Sequence, residues 1–151
     1  HPCAKLRRLK RRGQRKTRIP FLCAQHAGAA GKGASVAEAD TYAVFFNTNA
    51  IGTNSSELGG NLAKMAIFTL SESERVPSYV LFMNEGVKLP AGDEPQIIDN
   101  LKTLIEKGTK VLVCGTCLNF YGIKDDLKVG TVSNMYDILG AMQEVSKVIK
   151  L

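Results

Sequence analysis

Residues 110–122 read KVLVCGTCLNFYG, and this stretch decides the fold class. Four β-prone residues lead into Cys114, Gly-Thr-Cys follows, and an apolar turn ends at Gly122. A strand that passes directly into a helix is the unit from which parallel α/β sheets are built. The stretch therefore predicts a strand that ends at Cys114 and a short helix that begins there.

The rest of the chain from Tyr42 onward shows the same succession of strand-like and helix-like segments. Short apolar runs alternate with longer amphipathic segments, which is typical of βαβ units. The further predicted strands are YAVFFN (42–47), YVLFMN (79–84), roughly KVGTVS (128–133) and KVIKL (147–151). Together with 110–114 they predict an α/β fold with a mostly parallel five-stranded sheet.

Three amphipathic segments, 56–72, 94–108 and 135–145, predict helices that cover this sheet. The predicted core-facing side chains are Leu58, Leu62, Met65 and Ala66, with Phe68 near the edge, in the first helix, Ile97, Ile98, Leu101, Leu104 and Ile105 in the second, and Met135 and Met142 in the third. The sequence also offers capping residues: Ser55 or Ser56, a stop at Gly108, and Ser133 or Asn134.

Charge divides the 151 residues into two parts, although the net charge is +6 overall. Nine Lys and Arg residues lie between positions 5 and 18, and no acidic residue precedes Glu38. We interpret 1–40 as a basic tail or linker and 41–151 as a single domain. That domain carries 10 Lys and Arg against 12 Asp and Glu, so nucleic-acid binding by the folded part is not expected.

The chain shows neither a long apolar run nor a leader-like start, so we expect a soluble, cytoplasmic protein that does not enter membranes. Cysteines stand at positions 3, 23, 114 and 117. Their spacing does not suit two ligand pairs, and we expect neither a structural metal nor a disulfide framework. Cys114 and Cys117 are better interpreted as reactive thiols in a reducing compartment. Cys114 as an apolar filler, or the pair as a redox CxxC, remain alternatives.

In parallel α/β sheets ligands bind beyond the carboxyl ends of the strands. The residues that follow the predicted strands at this edge are Asn47, Asn84, Gly115, Thr116 and Asn134, which we predict to line the site around Cys114 and Cys117. A thiol where a helix begins faces unpaired backbone N–H groups, which favour the nucleophilic thiolate. Gly115 would let the backbone approach a bound sulfur or anion.

Several stretches resemble the DsrE/DsrF-like family, most closely the C-terminal domain of YedF-type selenium-metabolism proteins. They are FFNTNAIG with ELG following (45–59), VLFMNEGVKL (80–89), LVCGTCLNFYGIKDDLKVG (112–130) and SNMYDI (133–138). The resemblance implies a three-layer α/β/α fold, a homo-oligomer, and kinship with sulfur-relay subunits. It makes Cys114 the persulfide-bearing cysteine and Cys117 the additional cysteine of the YedF-type version. The chain departs from that pattern at the front, where 1–40 lacks a TusA-like domain with its Cys-Pro motif.

The resulting hypothesis is a sulfurtransferase-like persulfide carrier for sulfur or selenium, without a cofactor, that works between a donor protein and an acceptor protein. Two alternatives stay open: a non-catalytic oligomeric binding module and a CxxC dithiol redox protein. Both histidines, His1 and His26, lie in the tail, so the domain cannot use an imidazole base.

Overall fold

The computed structural model describes residues 40–151, in which five strands form one sheet. The strands are β1 (Tyr42–Phe46), β2 (Tyr79–Phe82), β3 (Lys110–Cys114), β4 (Thr131–Ser133) and β5 (Lys147–Lys150). Their order is β4-β3-β2-β1-β5, and each neighbouring pair is parallel. The predicted fold class is confirmed, with a sheet that is parallel throughout rather than mostly parallel. Apart from Asp40, the predicted basic tail lies outside the described residues.

The helices are α1 (Ser56–Glu72), α2 (Pro95–Glu106), α3 (Gly115–Tyr121) and α4 (Met135–Glu144). Short 3-10 turns span Asn84–Lys88 and Lys124–Asp126. α1 and α2 pack together over one face of the sheet, since the chain steps in one direction from β1 to β3. The connection from β4 to β5 runs back across the sheet, so a right-handed crossover puts α4 on the other face.

The core lies between these layers and includes the inner strands β1 and β2. Phe46 of β1 and Phe82 of β2 are fully buried, and their rings stack with centroids 5.3 Å apart. An aromatic pair of this kind adds about 0.5–1.5 kcal/mol beyond the burial of its area. Because these side chains lie at the carboxyl ends of their strands, they hold the edge of the sheet at which the predicted site residues lie.

Side-chain caps define where the helices begin. The hydroxyl of Ser55 accepts a hydrogen bond from the N–H of Leu58 at 3.2 Å, and the amide oxygen of Asn134 accepts one from Asp137 at 2.8 Å. Each cap satisfies one of the backbone donors that a helix leaves open in its first turn. After α2, Gly108 adopts a φ of +102°, as expected for a stop signal.

The predicted core face of α1 is wrong except at Ala66, which is partly buried against the core. The side turned to the sheet is formed by Gly59, Ala63, Ile67 and Ser71, whereas the predicted residues Leu58, Leu62, Met65 and Phe68 are exposed. The cause is close approach: a Cβ at position 59 would lie 2.6 Å from the carbonyl oxygen of Ile51. Small side chains let the helix come near the loop after β1, so the larger apolar residues turn outward.

Two further core predictions are corrected on α2 and α4. Ile105 is 41% exposed because it lines a surface groove beside β3, whereas Leu104 in the same turn of α2 is fully buried. Met135 is 51% exposed because it opens α4 at the rim of the sheet, while Ile138 and Ala141 form the buried stripe of that helix. Met142 packs against the core as predicted. Among residues 40–151 no helix is long and apolar enough to cross a bilayer.

Candidate thiol site

Cys114 is the last residue of β3 and the residue immediately before α3. It is 4% exposed, and its extended backbone (φ −64°, ψ 117°) turns the strand into the helix. α3 ends after two turns at Gly122, whose φ of +67° places it in the left-handed region. The helix thereby holds Cys117 one turn after Cys114. Both thiols are free, and Cys117 is the more exposed of the two.

A backbone donor from a neighbouring segment reaches the second thiol. The N–H of Asn84 donates a hydrogen bond to Sγ of Cys117, with 3.1 Å between nitrogen and sulfur. Asn84 has a φ of 52°, the sole positive value at a non-glycine residue in the part of the chain that the structure describes. Asparagine tolerates this conformation better than most residues. The left-handed conformation of Asn84 is therefore part of the turn that directs its N–H toward Sγ of Cys117.

Side chains beside this contact fix the turn. The hydroxyl of Tyr121 donates to the amide oxygen of Asn84 at 3.3 Å, so α3 and the 3-10 turn are joined twice. Nζ of Lys88 lies 4.5 Å from the centroid of the Tyr121 ring and 3.2 Å from a carboxylate oxygen of Glu85. These groups order the rim of the site, and the Lys88–Glu85 pair is too exposed to add much stability.

The electrostatics of Cys117 reflect opposing effects. Burial raises the pKa of the Cys117 thiol, and contact with the neighbouring thiol of Cys114 raises it further. The N–H of Asn84 acts in the other direction, because a donor stabilises the thiolate. At neutral pH Cys117 is therefore protonated, with a donor already in position for the thiolate when it forms.

Gly86 lets the turn after β2 lie directly against β1. A Cβ at this position would stand 2.1 Å from the carbonyl oxygen of Phe46, and the N–H of Met83 donates to that same oxygen at 3.1 Å. Backbone approach this close admits no side chain. The position of Asn84, and with it the donor on Cys117, thus depends on a glycine two residues further on.

The neighbouring strand β4 carries a polar side chain, Ser133, beside Cys114. Ser133 is paired in register with Cys114 on the adjacent parallel strand, so the two side chains leave the sheet on the same face. Its hydroxyl oxygen is buried and has no hydrogen-bond partner within residues 40–151. Gly115 packs closely here, because a Cβ would lie 3.0 Å from Cγ1 of Val132 and 3.3 Å from the carbonyl oxygen of Ser133. Ser133 was not among the predicted site residues. Its position at the carboxyl end of β4 could have identified it as one.

The structure brings together part of the predicted set. Cys114, Cys117, Asn84 and Gly115 form one cluster, with Tyr121 and Ser133 as members that were not predicted. The other three predicted residues make no hydrogen bond to either thiol within residues 40–151. Thr116 is exposed on α3, and the side chain of Asn134 is occupied by Asp137 at the start of α4. Asn47 is half-buried after β1.

No group of three or more potential metal-ligating side chains occurs within the described range. A groove of about 470 Å³ lies elsewhere, between α1 and α2, and is lined by Lys64, Met65, Phe68, Gln96, Asp99 and Asn100. Neither cysteine lines this groove, because both thiols lie at the carboxyl edge of the sheet.

Fold and site together define a parallel α/β domain with two adjacent free thiols at the carboxyl edge of its sheet. The model of the DsrE/DsrF-like family matches residues 40–151. The chain belongs to the DsrE/DsrF-like family.

Solved structures with a similar fold include a conserved protein of unknown function, BT1422, from Bacteroides thetaiotaomicron. It is 16% identical, with a TM-score of 0.52 over 75% of this chain and 97% of that one. The ychN protein from E. coli is 17% identical, with a TM-score of 0.49 over 74% of this chain and 99% of that one. No curated protein matches the sequence. The closer resemblance to YedF-type proteins stays a prediction.

Proposed function

We propose that this domain is a sulfurtransferase-like carrier that holds sulfur, or selenium, as a persulfide on Cys114. It would take the atom from a donor protein and pass it to an acceptor protein in the cytoplasm. One observation carries the proposal: a buried thiol ends the inner strand β3, and beside it lie a second thiol and a hydroxyl without a partner among the described residues. Membership of the DsrE/DsrF-like family agrees with this chemistry.

Loading needs only sulfur chemistry. The thiolate of Cys114 attacks the outer sulfur of a persulfide on the donor, a new S–S bond forms, and the donor cysteine leaves as a thiolate. No general base has to act on carbon or oxygen, which fits a domain without histidine. The burial of Cys114 would then keep the persulfide from thiols and oxidants in solution.

Ser133 supports the loaded state in particular. A buried hydroxyl without a partner normally costs free energy, and native proteins retain few such groups. Its side chain lies on the same face as that of Cys114. A sulfur atom added to Cys114 would supply the acceptor that this hydroxyl lacks.

Mass spectrometry after incubation with a cysteine desulfurase and cysteine tests the proposal. A persulfide adds about 32 Da, and we expect this adduct on Cys114. Cys114→Ser should abolish loading, whereas Cys117→Ser should retain it. An unmodified wild-type protein, or an adduct that persists in Cys114→Ser, would contradict the proposal.

The adjacent thiols favour a second candidate, a dithiol redox protein. Such a protein forms a reversible disulfide between Cys114 and Cys117 in the absence of any sulfur donor, and both cysteines are then equally required. Equilibration of the unloaded protein with defined glutathione mixtures distinguishes the two candidates. A carrier stays as two thiols in a cytoplasmic redox range, while a redox protein titrates between dithiol and disulfide.

We further propose a homo-oligomer. Phe120 on α3 and Tyr136 on α4 are 82% and 88% exposed, and Val132, Met135 and Leu139 are further exposed apolar side chains. An apolar surface of this kind is typical of association sites. A purely structural assembly built on this surface is the remaining alternative, and it would form without loading any sulfur.

A further inference from the structure

Cys117 has features that a carrier with one persulfide cysteine does not need. It lies one helical turn after Cys114, it is the more exposed of the two, and its sulfur receives a hydrogen bond from the N–H of Asn84 at 3.1 Å. That donor comes from a residue in a left-handed backbone conformation, which non-glycine residues adopt rarely. A thiol that only filled space would not require a donor directed at its sulfur.

On the basis of the proposed function, we infer that Cys117 is the group that releases the carried sulfur as hydrosulfide. The thiolate of Cys117 attacks Sγ of the persulfide on Cys114. A bond forms between the two Sγ atoms, and the bond from Sγ of Cys114 to the outer sulfur breaks. The outer sulfur leaves with the electron pair as hydrosulfide, and the proton of the Cys117 thiol goes to solvent.

The electrons balance within the protein. The sulfane sulfur is reduced to sulfide, and the two cysteines are oxidised to one disulfide. A dithiol reductant then restores both thiols by attacking the disulfide. The reductant attacks Sγ of Cys117, because this is the more accessible sulfur of the disulfide. Cys114 then leaves as the thiolate and can be loaded again.

The hydrogen bond from Asn84 stabilises Cys117 as a thiolate, the form in which it attacks. The tether from Tyr121 to the amide oxygen of Asn84 keeps the donor in place while α3 holds the two sulfurs one turn apart. In a domain without histidine, sulfur itself is the nucleophile available next to the persulfide. Asn84 is a positioning residue in this step, and Cys117 is the reacting one.

The test measures hydrosulfide and disulfide after loading. Wild-type protein, Cys117→Ser and Cys117→Ala are each loaded by cysteine desulfurase and cysteine, desalted, and followed in thiol-free buffer. We expect wild type to release one hydrosulfide for each Cys114–Cys117 disulfide formed. Both Cys117 variants should keep the adduct on Cys114, with release slowed at least about 100-fold because the intramolecular thiol is gone.

Each other outcome has a definite meaning. Equal release rates in wild type and both variants, or transfer of the adduct to Cys117 without a disulfide, would overturn the release step while leaving the carrier intact. A lack of loading in wild type and in the variants would overturn the proposed function, and the release step with it. A cooperative melting transition confirms that each variant is folded, and two replacements guard against the failure of one.

Discussion

The backbone N–H of Asn84 and Sγ of Cys117 are joined by a hydrogen bond of 3.1 Å, although the two residues lie 33 positions apart in the chain. A substitution other than proline cannot delete a backbone donor. It can move the donor, however, if the new residue resists the left-handed conformation. Substitutions at position 84 can therefore change the environment of the Cys117 thiol while both cysteines stay in place.

Asn84→Val and Asn84→Gly should therefore behave differently. Valine disfavours a φ of 52°, at a cost of about 1–2 kcal/mol, and withdraws the N–H from sulfur. Glycine keeps the backbone and loses only the contact with Tyr121. Alkylation of Cys117 should shift to higher pH in Asn84→Val but not in Asn84→Gly. Identical profiles for the two variants would show that the donor does not act on the thiolate.

In the wild-type protein, Cys117 should be alkylated at a higher pH than a cysteine in an unstructured peptide. Burial and the Cys114 thiol raise its pKa, so the thiolate fraction at neutral pH is reduced and grows only as the pH rises. Site-resolved mass spectrometry with iodoacetamide across a pH series gives the profile. Cys114→Ala removes one of the causes and should move the profile part of the way down; a profile below that of the peptide would contradict the assignment.

Gly86→Ala should destabilise the domain by about 2–3 kcal/mol, because the new methyl group meets a backbone carbonyl that cannot rotate away. Gly60→Ala is the matched control. That glycine lies within α1 with open space around it, so alanine should add about 0.5–1 kcal/mol. Urea unfolding measures both changes. Equal effects at the two sites would mean that the turn after β2 is not held against Phe46.

Ser133→Ala should leave the stability of the unloaded domain unchanged or raise it slightly, because alanine removes a buried hydroxyl that has no partner among the described residues. The loaded form should instead lose its adduct faster, since the proposed donor to the added sulfur is missing. The comparison is made in the Cys117→Ser background, in which intramolecular release does not compete. An unaltered adduct lifetime would separate Ser133 from the sulfur site.

Sedimentation should show an assembly larger than the 16.4 kDa chain at micromolar concentration. Phe120→Lys should reduce its size, because a charge would replace an exposed apolar ring. Leu58→Lys, on the outer side of α1, serves as the control and should leave the assembly intact. A monomeric wild type, or dissociation by Leu58→Lys alone, would place the prediction in error.

Strand positions could be predicted because buried parallel strands are short, apolar and β-branched, and β3 was predicted to the residue. The orientation of α1 could not be. Both of its sides carry apolar residues, and choosing by size selected Leu58 and Met65 when close approach required Gly59 and Ala63.

The site residues that follow directly from the order of elements in the chain could be predicted. Those that depend on contacts between distant segments could not. Cys114 and Cys117 follow a strand, so the rule for parallel sheets locates them. The left-handed turn at Asn84 and the free hydroxyl of Ser133 arise from neighbouring strands that meet only in the folded domain. Asn134 was predicted at the site because it follows β4, but its side chain caps the start of α4 instead.

The pairing of β1 with β5 also bears on how the chain is made. Tyr42 lies in register with Lys147, so β1, the earliest of the described strands, waits for the last of them before its second edge is covered. Pairing over so long a separation is slow, and an uncovered apolar strand invites association with other nascent chains. During synthesis β1 can pair with β2 alone. Translation speed and chaperone supply should therefore affect the yield of this domain more than the final stability of its sheet does.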